Sequence, residues 1–237
     1  SDFKHNSKFA SFVLISKGSY AYEMNVNYPF SLVFQKKSDE AIQIIPAYWF
    51  IYNMYAIERN LYKFKNRDKR KIKIQNIETE YLAPDTVSEI IKSIDRIYVL
   101  AGESINKTED LTQDEYLKIG REYIHKLALE GKDIELTDKE CMKKYGARIL
   151  KPVKAVCYFE KMILYFFIRN IMNFYDITKI SLINLLRELK ELMKANLYLD
   201  WINLGGQIVS REDLEDIKKE IKCDKLTSWD EIHAKYN

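Results

Sequence analysis

Cysteine is scarce in this chain, and its three copies, Cys141, Cys157 and Cys223, form no Cys-x-x-Cys pair. An odd number at wide spacing excludes the disulfide framework of small secreted domains and points to reduced thiols in a cytoplasmic protein. Glycine and proline are also scarce, at 7 and 4, which excludes a collagen-like chain and argues against a turn-dense all-β sandwich. Long hydrophobic runs are missing. The longest, Met162 to Ile168, is bounded by Lys161 and Arg169, whereas a membrane span needs about 20 apolar residues. That segment therefore reads as a buried core helix, and no membrane association is expected. No basic-then-apolar leader opens the chain, which begins Ser1-Asp2-Phe3-Lys4. An opening without Met and already rich in strand formers reads as a piece of a longer protein. Neither sign of charge dominates: 38 basic and 35 acidic residues leave +3, so no bulk attraction to nucleic acid or anionic membrane is implied. His5, His125 and His233 lie too far apart, without Cys-rich neighbours, to suggest a metal site.

Apolar and aromatic material is plentiful: 47% of the residues are hydrophobic, with 17 Tyr and 11 Phe among them. A chain of this kind buries a real core. Residues 1–36 differ in kind from the rest. Phe9 to Ile15 and Tyr28 to Phe34 are short β-branched and aromatic runs punctuated by Gly18, Asn25, Asn27 and Pro29, which predicts two or three strands with tight turns. Residues 37–237 read as a helical domain. Pro46 to about Arg67 is one long helix without internal Gly or Pro. Thr86 with Glu89, and Thr112 with Glu115, form capping boxes at two further helix starts, and Gly131 falls where a C-terminal cap belongs. Pro152 to about Tyr175 is apolar nearly all round and is expected at the centre of the bundle. Leu182, Leu185, Leu186, Leu189, Leu192 and Met193 make a one-sided stripe. Gly205-Gly206 breaks the chain, and Ser210 and Ser228 start two short helices. Trp49, Trp201 and Trp229 read as core anchors. The expected fold class is mainly α, with a short N-terminal β segment followed by a multi-helix bundle.

One constellation carries binding chemistry. From Lys63 to Lys73 the chain holds seven positive charges against one Asp. At 100° per residue, Asn53, Asn60, Lys63 and Arg67 fall on one narrow helix face, with Ile51, Met54, Tyr55 and Tyr62 opposite. Amide and guanidinium donors beside a basic helix end, with Lys69 and Arg70 following, suit phosphate or carboxylate groups, Arg by bidentate contact. The same run also suits a solvated helix face entering a charged loop. Nucleic-acid binding ranks lower, since it needs a wider basic surface. Glu78, Glu80 and Asp85 follow closely and read as charge balance rather than an acid pair. His5 differs from the other two histidines because it sits on a strand-and-turn segment, where a general base could face a cleft. No phosphate loop and no Gly-x-Ser-x-Gly elbow is present.

Several strings together resemble one family. They include His5-Asn-Ser-Lys-Phe-Ala-Ser-Phe12, Pro46-Ala-Tyr-Trp-Phe-Ile-Tyr-Asn-Met-Tyr-Ala56, Arg67-Asp-Lys-Arg70, Leu82-Ala-Pro-Asp-Thr86 and Trp201-Ile-Asn-Leu-Gly-Gly-Gln207. The chain resembles the C-terminal region of large, uncharacterised bacterial proteins with an upstream left-handed β-helix of hexapeptide repeats. The resemblance covers most of the chain and is weakest across residues 104–146. It implies that the first strands are the end of that β-helix, with the helices packed behind it. By analogy with hexapeptide-repeat transferases it further implies an acyl- or sugar-nucleotide-type substrate, His5 as general base, and a homo-oligomer, often a trimer. Lys63, Arg67, Lys69 and Arg70 would then hold the phosphates of coenzyme A or a sugar nucleotide. A non-catalytic capping or oligomerisation domain is the alternative.

Overall fold

The computed structural model describes residues 1–36, 39–71, 77–106, 111–194 and 200–236. The side chains of Leu182, Leu189, Leu192 and Met193 lie outside that description, as does Lys73. About 52% of the chain is helical, but small sheets recur along it, so the fold is mixed α/β rather than mainly α. Two compact units are formed, residues 1–59 with 89–170 and residues 60–88 with 171–237.

The first unit opens on six very short strands: β1 (Asp2–Phe3), β2 (Lys8–Phe9), β3 (Leu14–Ile15), β4 (Ser19–Tyr20), β5 (Asn25–Val26) and β6 (Leu32–Phe34). β1 pairs with β4, β2 with β5 and β3 with β6, all parallel. Partners stand 17, 17 and 18 positions apart: Asp2 with Ser19, Lys8 with Asn25, Leu14 with Leu32. The chain thus makes two stacked turns of nearly equal length. Its corners need left-handed backbone at Asn6, Phe12 and Phe30, with φ of 64°, 58° and 55°. For Phe that conformation costs about 1–2 kcal/mol. The cost is offset because Phe12 stacks on Phe30 at 4.8 Å, Phe30 meets Phe50 at 4.5 Å, and the Trp49 indole N–H donates to the Phe12 carbonyl at 2.8 Å. Each aromatic pair adds about 0.5–1.5 kcal/mol beyond its buried area.

The parallel stacking stops at β7 (Ile42–Ile45), which runs antiparallel to β6. β8 (Glu135–Asp138) and β9 (Ala147–Leu150) complete a five-stranded sheet in the order β3-β6-β7-β9-β8. The single helix expected from Pro46 to Arg67 is two. Ala47, left-handed at φ 53°, precedes α1 (Tyr48–Tyr52), and Asn53 leaves helical geometry at φ −144° before α2 (Met54–Arg67). α3 (Pro84–Ile105) begins at its proline, so Thr86 sits inside the first turn. Its hydroxyl donates to the Tyr81 and Ala83 carbonyls and accepts from the Ala83 N–H, and it is not the N-cap. α4 (Gln113–Leu129) does carry the expected box of Thr112 and Glu115. Its end is closed at Gly131, whose φ is +65°, with the Lys132 N–H bonded to the Leu127 carbonyl.

Two devices fix the helices of this unit. α3 and α4 approach backbone to backbone: a Cβ added to Gly120 would lie 1.7 Å from the Tyr98 carbonyl oxygen, and one on Gly102 would lie 2.2 Å from that of Tyr116. Arg96 of α3 clamps Asp138 at the end of β8, with Nη2 at 2.6 Å from Oδ1 and Nε at 3.2 Å from Oδ2. The wholly buried Tyr28 hydroxyl donates to the same carboxylate at 2.6 Å, and the Glu140 N–H donates at 3.0 Å. One buried carboxylate therefore joins the stacked coils, the sheet and α3.

α5 (Pro152–Thr178) is longer than expected and is central only at its start. Val153, Ala155, Val156 and Phe159 are buried, but Leu164, Tyr165, Phe167 and Ile168 are 46–60% exposed. An apolar all-round helix is thus only half covered. The second unit holds α6 (Leu182–Lys194), the hairpin of β10 (Trp201–Leu204) and β11 (Gln207–Ser210), α7 (Arg211–Lys222) and α8 (Trp229–Tyr236). Ser210 caps α7 by accepting from the Asp213 N–H, and Ser228 exchanges bonds with Glu231 at the head of α8. Trp201 and Trp229 are exposed by 36% and 77%, so neither is a core anchor.

Candidate anion-binding site

The basic run predicted from sequence gathers at the C-terminal end of α2, within the second unit. Asn60, Lys63, Phe64 and Arg67 follow one another at helical spacing and line one open depression of about 820 Å³. Lys69 and Arg70 line it from the turn that follows, and Ile77 completes it. Five of the six binding residues expected from sequence therefore share one site. Asn53 does not: the helix break makes it the end of α1, where its backbone N–H bonds the Trp49 carbonyl. Tyr55 and Tyr62 are 75% and 71% exposed, and Ile57 is the buried residue of α2.

Asp68 builds the turn. Its carboxylate accepts from the Arg70 backbone N–H at 3.2 Å and from Arg70 Nε and Nη2 at 2.9 Å each. This folds Lys69 and Arg70 back beside α2, and the Asp68 carboxylate raises the Arg70 pKa above its ordinary value. The Asp68 fork occupies two of the three guanidinium nitrogens of Arg70. Lys65 points elsewhere and pairs with Glu80, the charge balance expected of that acidic segment. The side chains of Lys63, Arg67 and Lys69 have no ion pair or hydrogen bond among the described residues. At a helix C-terminus, cations are stabilised by the macrodipole as well.

The apolar part of the site was not foreseen. Phe64 sits four residues after Asn60 and was legible from spacing alone. Ile77 was not, because a distant hairpin fixes it. The Glu78 N–H donates to the Gly206 carbonyl at 2.7 Å, and a Cβ on Gly206 would lie 2.7 Å from Ile77 Cγ2. With φ at +102°, Gly206 is required both by its backbone conformation and by its neighbour. The Gly205-Gly206 turn therefore seats the floor of the depression. The arrangement offers ammonium and guanidinium donors over an apolar patch, a chemistry suited to a phosphate- or carboxylate-bearing ligand.

His5 occupies the exposed corner between β1 and β2. Among the described residues no side chain hydrogen-bonds or ion-pairs with its imidazole. His125 meets the Tyr98 hydroxyl at 3.0 Å and Glu160 at 3.5 Å on a half-exposed surface, and burial followed by the Glu160 charge raises the Tyr98 phenol. Burial pushes the Cys141 thiol well above its ordinary range. No group of His, Cys, Asp and Glu among the described residues could hold a metal ion, and no described helix is long and apolar enough to cross a membrane.

No protein-family model and no solved structure matches the chain. An uncharacterized protein of Treponema pallidum (strain Nichols) is 34% identical to it over 244 residues, covering 100% of this chain. The chain spans 32% of the length of that relative.

Proposed function

We propose that the chain is the ligand-holding, coil-ending part of a larger transferase-like protein, and that the groove at the end of α2 binds the phosphates of a coenzyme A- or sugar-nucleotide-type molecule. The observation that supports this is the convergence of Asn60, Lys63, Arg67 and Lys69 on one depression floored by Phe64 and Ile77. His5, at the exposed corner between β1 and β2, would be the general base by analogy. A thermal-shift screen of coenzyme A, acyl-coenzyme A, nucleotides and sugar nucleotides tests the proposed binding. Ligand at 100 times its Kd adds about 2.7 kcal/mol of stability. The reading expects a hit that disappears in Arg67→Ala while the unliganded Tm is unchanged. No shift with any of these ligands refutes it.

A second reading is a non-catalytic cap, favoured by the 17- and 18-residue offsets of the parallel pairs. Those offsets suit the last two coils of a three-sided β-helix, with β7 ending the stack by running antiparallel. Coils of this kind need neighbours to bury their faces. Hydrogen exchange separates the two readings: a cap expects Phe3, Phe9 and Leu14 to gain protection in the full-length protein. Nucleic-acid binding through residues 63–73 ranks below both and would show affinity falling steeply with salt.

A further inference from the structure

We propose a second ligand site, in the first unit, for a small phosphorylated molecule with an aromatic or apolar body, of the size of a nucleoside diphosphate. A depression of about 700 Å³ lies where the β1–β2 corner and the β4–β5 connection meet the loop between β8 and β9. That volume falls in the range of small-molecule sites, about 300–1,000 Å³. Four lysines line it from two segments remote in sequence: Lys4 and Lys8 flank the corner, and Lys143 and Lys144 come from the loop.

Main-chain bonds hold both segments. The Asn25 N–H donates to the Cys141 carbonyl at 2.8 Å, the Gly146 N–H to Met142 at 2.7 Å, and the Lys8 N–H to Met24 at 2.7 Å. The charge balance favours an anion. Glu140 also lines the depression, but its carboxylate is paired with Arg96 Nη1 at 3.2 Å. Lys144 is committed to a wall, its ammonium 4.7 Å and 4.9 Å from the ring centres of Tyr22 and Tyr145 and 2.9 Å from the Tyr22 hydroxyl. Lys4, Lys8 and Lys143 have no side-chain partner among the described residues and face a single uncommitted carboxylate, Glu23. Three uncommitted lysines lining one depression suit a ligand carrying more than one negative charge. The floor is Met24 and Met142, both buried. Tyr22 also lines the depression, and its aromatic wall favours a ring-bearing phosphate over a bare anion.

The floor also supplies the readout. In protein labelled with ¹³C at the methionine methyls, the Met24 and Met142 signals are assigned by Met24→Leu and Met142→Leu, and ADP and inorganic pyrophosphate are the probes. Saturable movement of both signals with ADP is expected, weaker movement with pyrophosphate, and at least a tenfold weaker ADP affinity in Lys8→Gln/Lys143→Gln. Arg67→Ala, in the α2 groove, should leave the titration unchanged, so failure of one site is distinguishable from failure of the other. Immobile signals at millimolar ADP, or a titration insensitive to Lys8→Gln/Lys143→Gln, overturn the site. Equal response to pyrophosphate and ADP overturns the assignment of a ring-bearing ligand.

Discussion

Removing Arg96 should be among the most damaging single substitutions in this protein. Asp138 is 2% exposed, and its carboxylate accepts two hydrogen bonds from Arg96, one from Tyr28 and one from the Glu140 backbone. Arg96→Ala deletes its charged partner among the described residues and leaves the carboxylate buried. Breaking a buried pair in this way costs about 3–5 kcal/mol. The lower end is expected because the Tyr28 and Glu140 donors remain and the Arg96 side chain is itself 21% exposed. Tyr28→Phe removes one bond to a charged acceptor, worth about 1.5–3 kcal/mol. Both groups serve one carboxylate, so the double variant should depart from additivity by about 0.5–3 kcal/mol. Urea unfolding followed by far-UV circular dichroism measures all three. An Arg96→Ala variant within about 0.5 kcal/mol of wild type, the range of ordinary surface changes, would refute the idea that this carboxylate joins coil, sheet and helix.

Other expectations follow from the same contacts. Burial pushes the Asp138 carboxyl up, but hydrogen bonds from Arg96 and Tyr28 outweigh it and hold the pKa below its ordinary 3.8. Its contribution is therefore present above about pH 4 and lost as pH falls through the lower folded value; acid titrations of stability should show a smaller loss in Arg96→Ala than in wild type. Gly120→Ala, with its Cβ 1.7 Å from the Tyr98 carbonyl oxygen, must push α3 and α4 apart and should lower stability by at least about 1–3 kcal/mol, whereas an unchanged Tm would show the helices to be free to separate. Gly206→Ala should weaken any ligand of the α2 groove by displacing Ile77 while leaving its lysines intact, which isothermal titration would register as lost affinity. Thiol labelling of the native protein should modify the exposed Cys223 quickly and the buried Cys141 only on unfolding.

Local signals were legible where the physics is local. Ser210 and the Thr112–Glu115 box announced their helices because an N-cap needs one side chain and one N–H within three residues. The basic groove was legible for the same reason, since Asn60, Lys63 and Arg67 share a helix face. Asn53 was misassigned because nothing in Tyr52-Asn53-Met54 marks a break. The break is visible only in the backbone, where Asn53 leaves helical geometry at φ −144°. β9 was missed because its partner β7 lies some hundred residues earlier, and β8, which pairs with β9, because Glu135 to Asp138 alternate too briefly to read as a strand. Lys4, Lys8 and Lys143 gave no signal singly, as each is an ordinary surface lysine until the loop and the corner meet.

The pairing of β7 with β9 also sets a clock. Ile42 must find Ala147, 105 positions later, and at synthesis rates of about 5–20 residues per second that partner emerges roughly 5–20 s after β7. Throughout that interval the nascent chain presents the bare margin of β7, with Ile42 and Ile44 unprotected, while β6 already covers its other side. The ribosome-bound protein therefore passes through a window in which this margin is open to chaperones, or to the same margin on a neighbouring nascent chain, and arrival of Arg148 and Ile149 closes it.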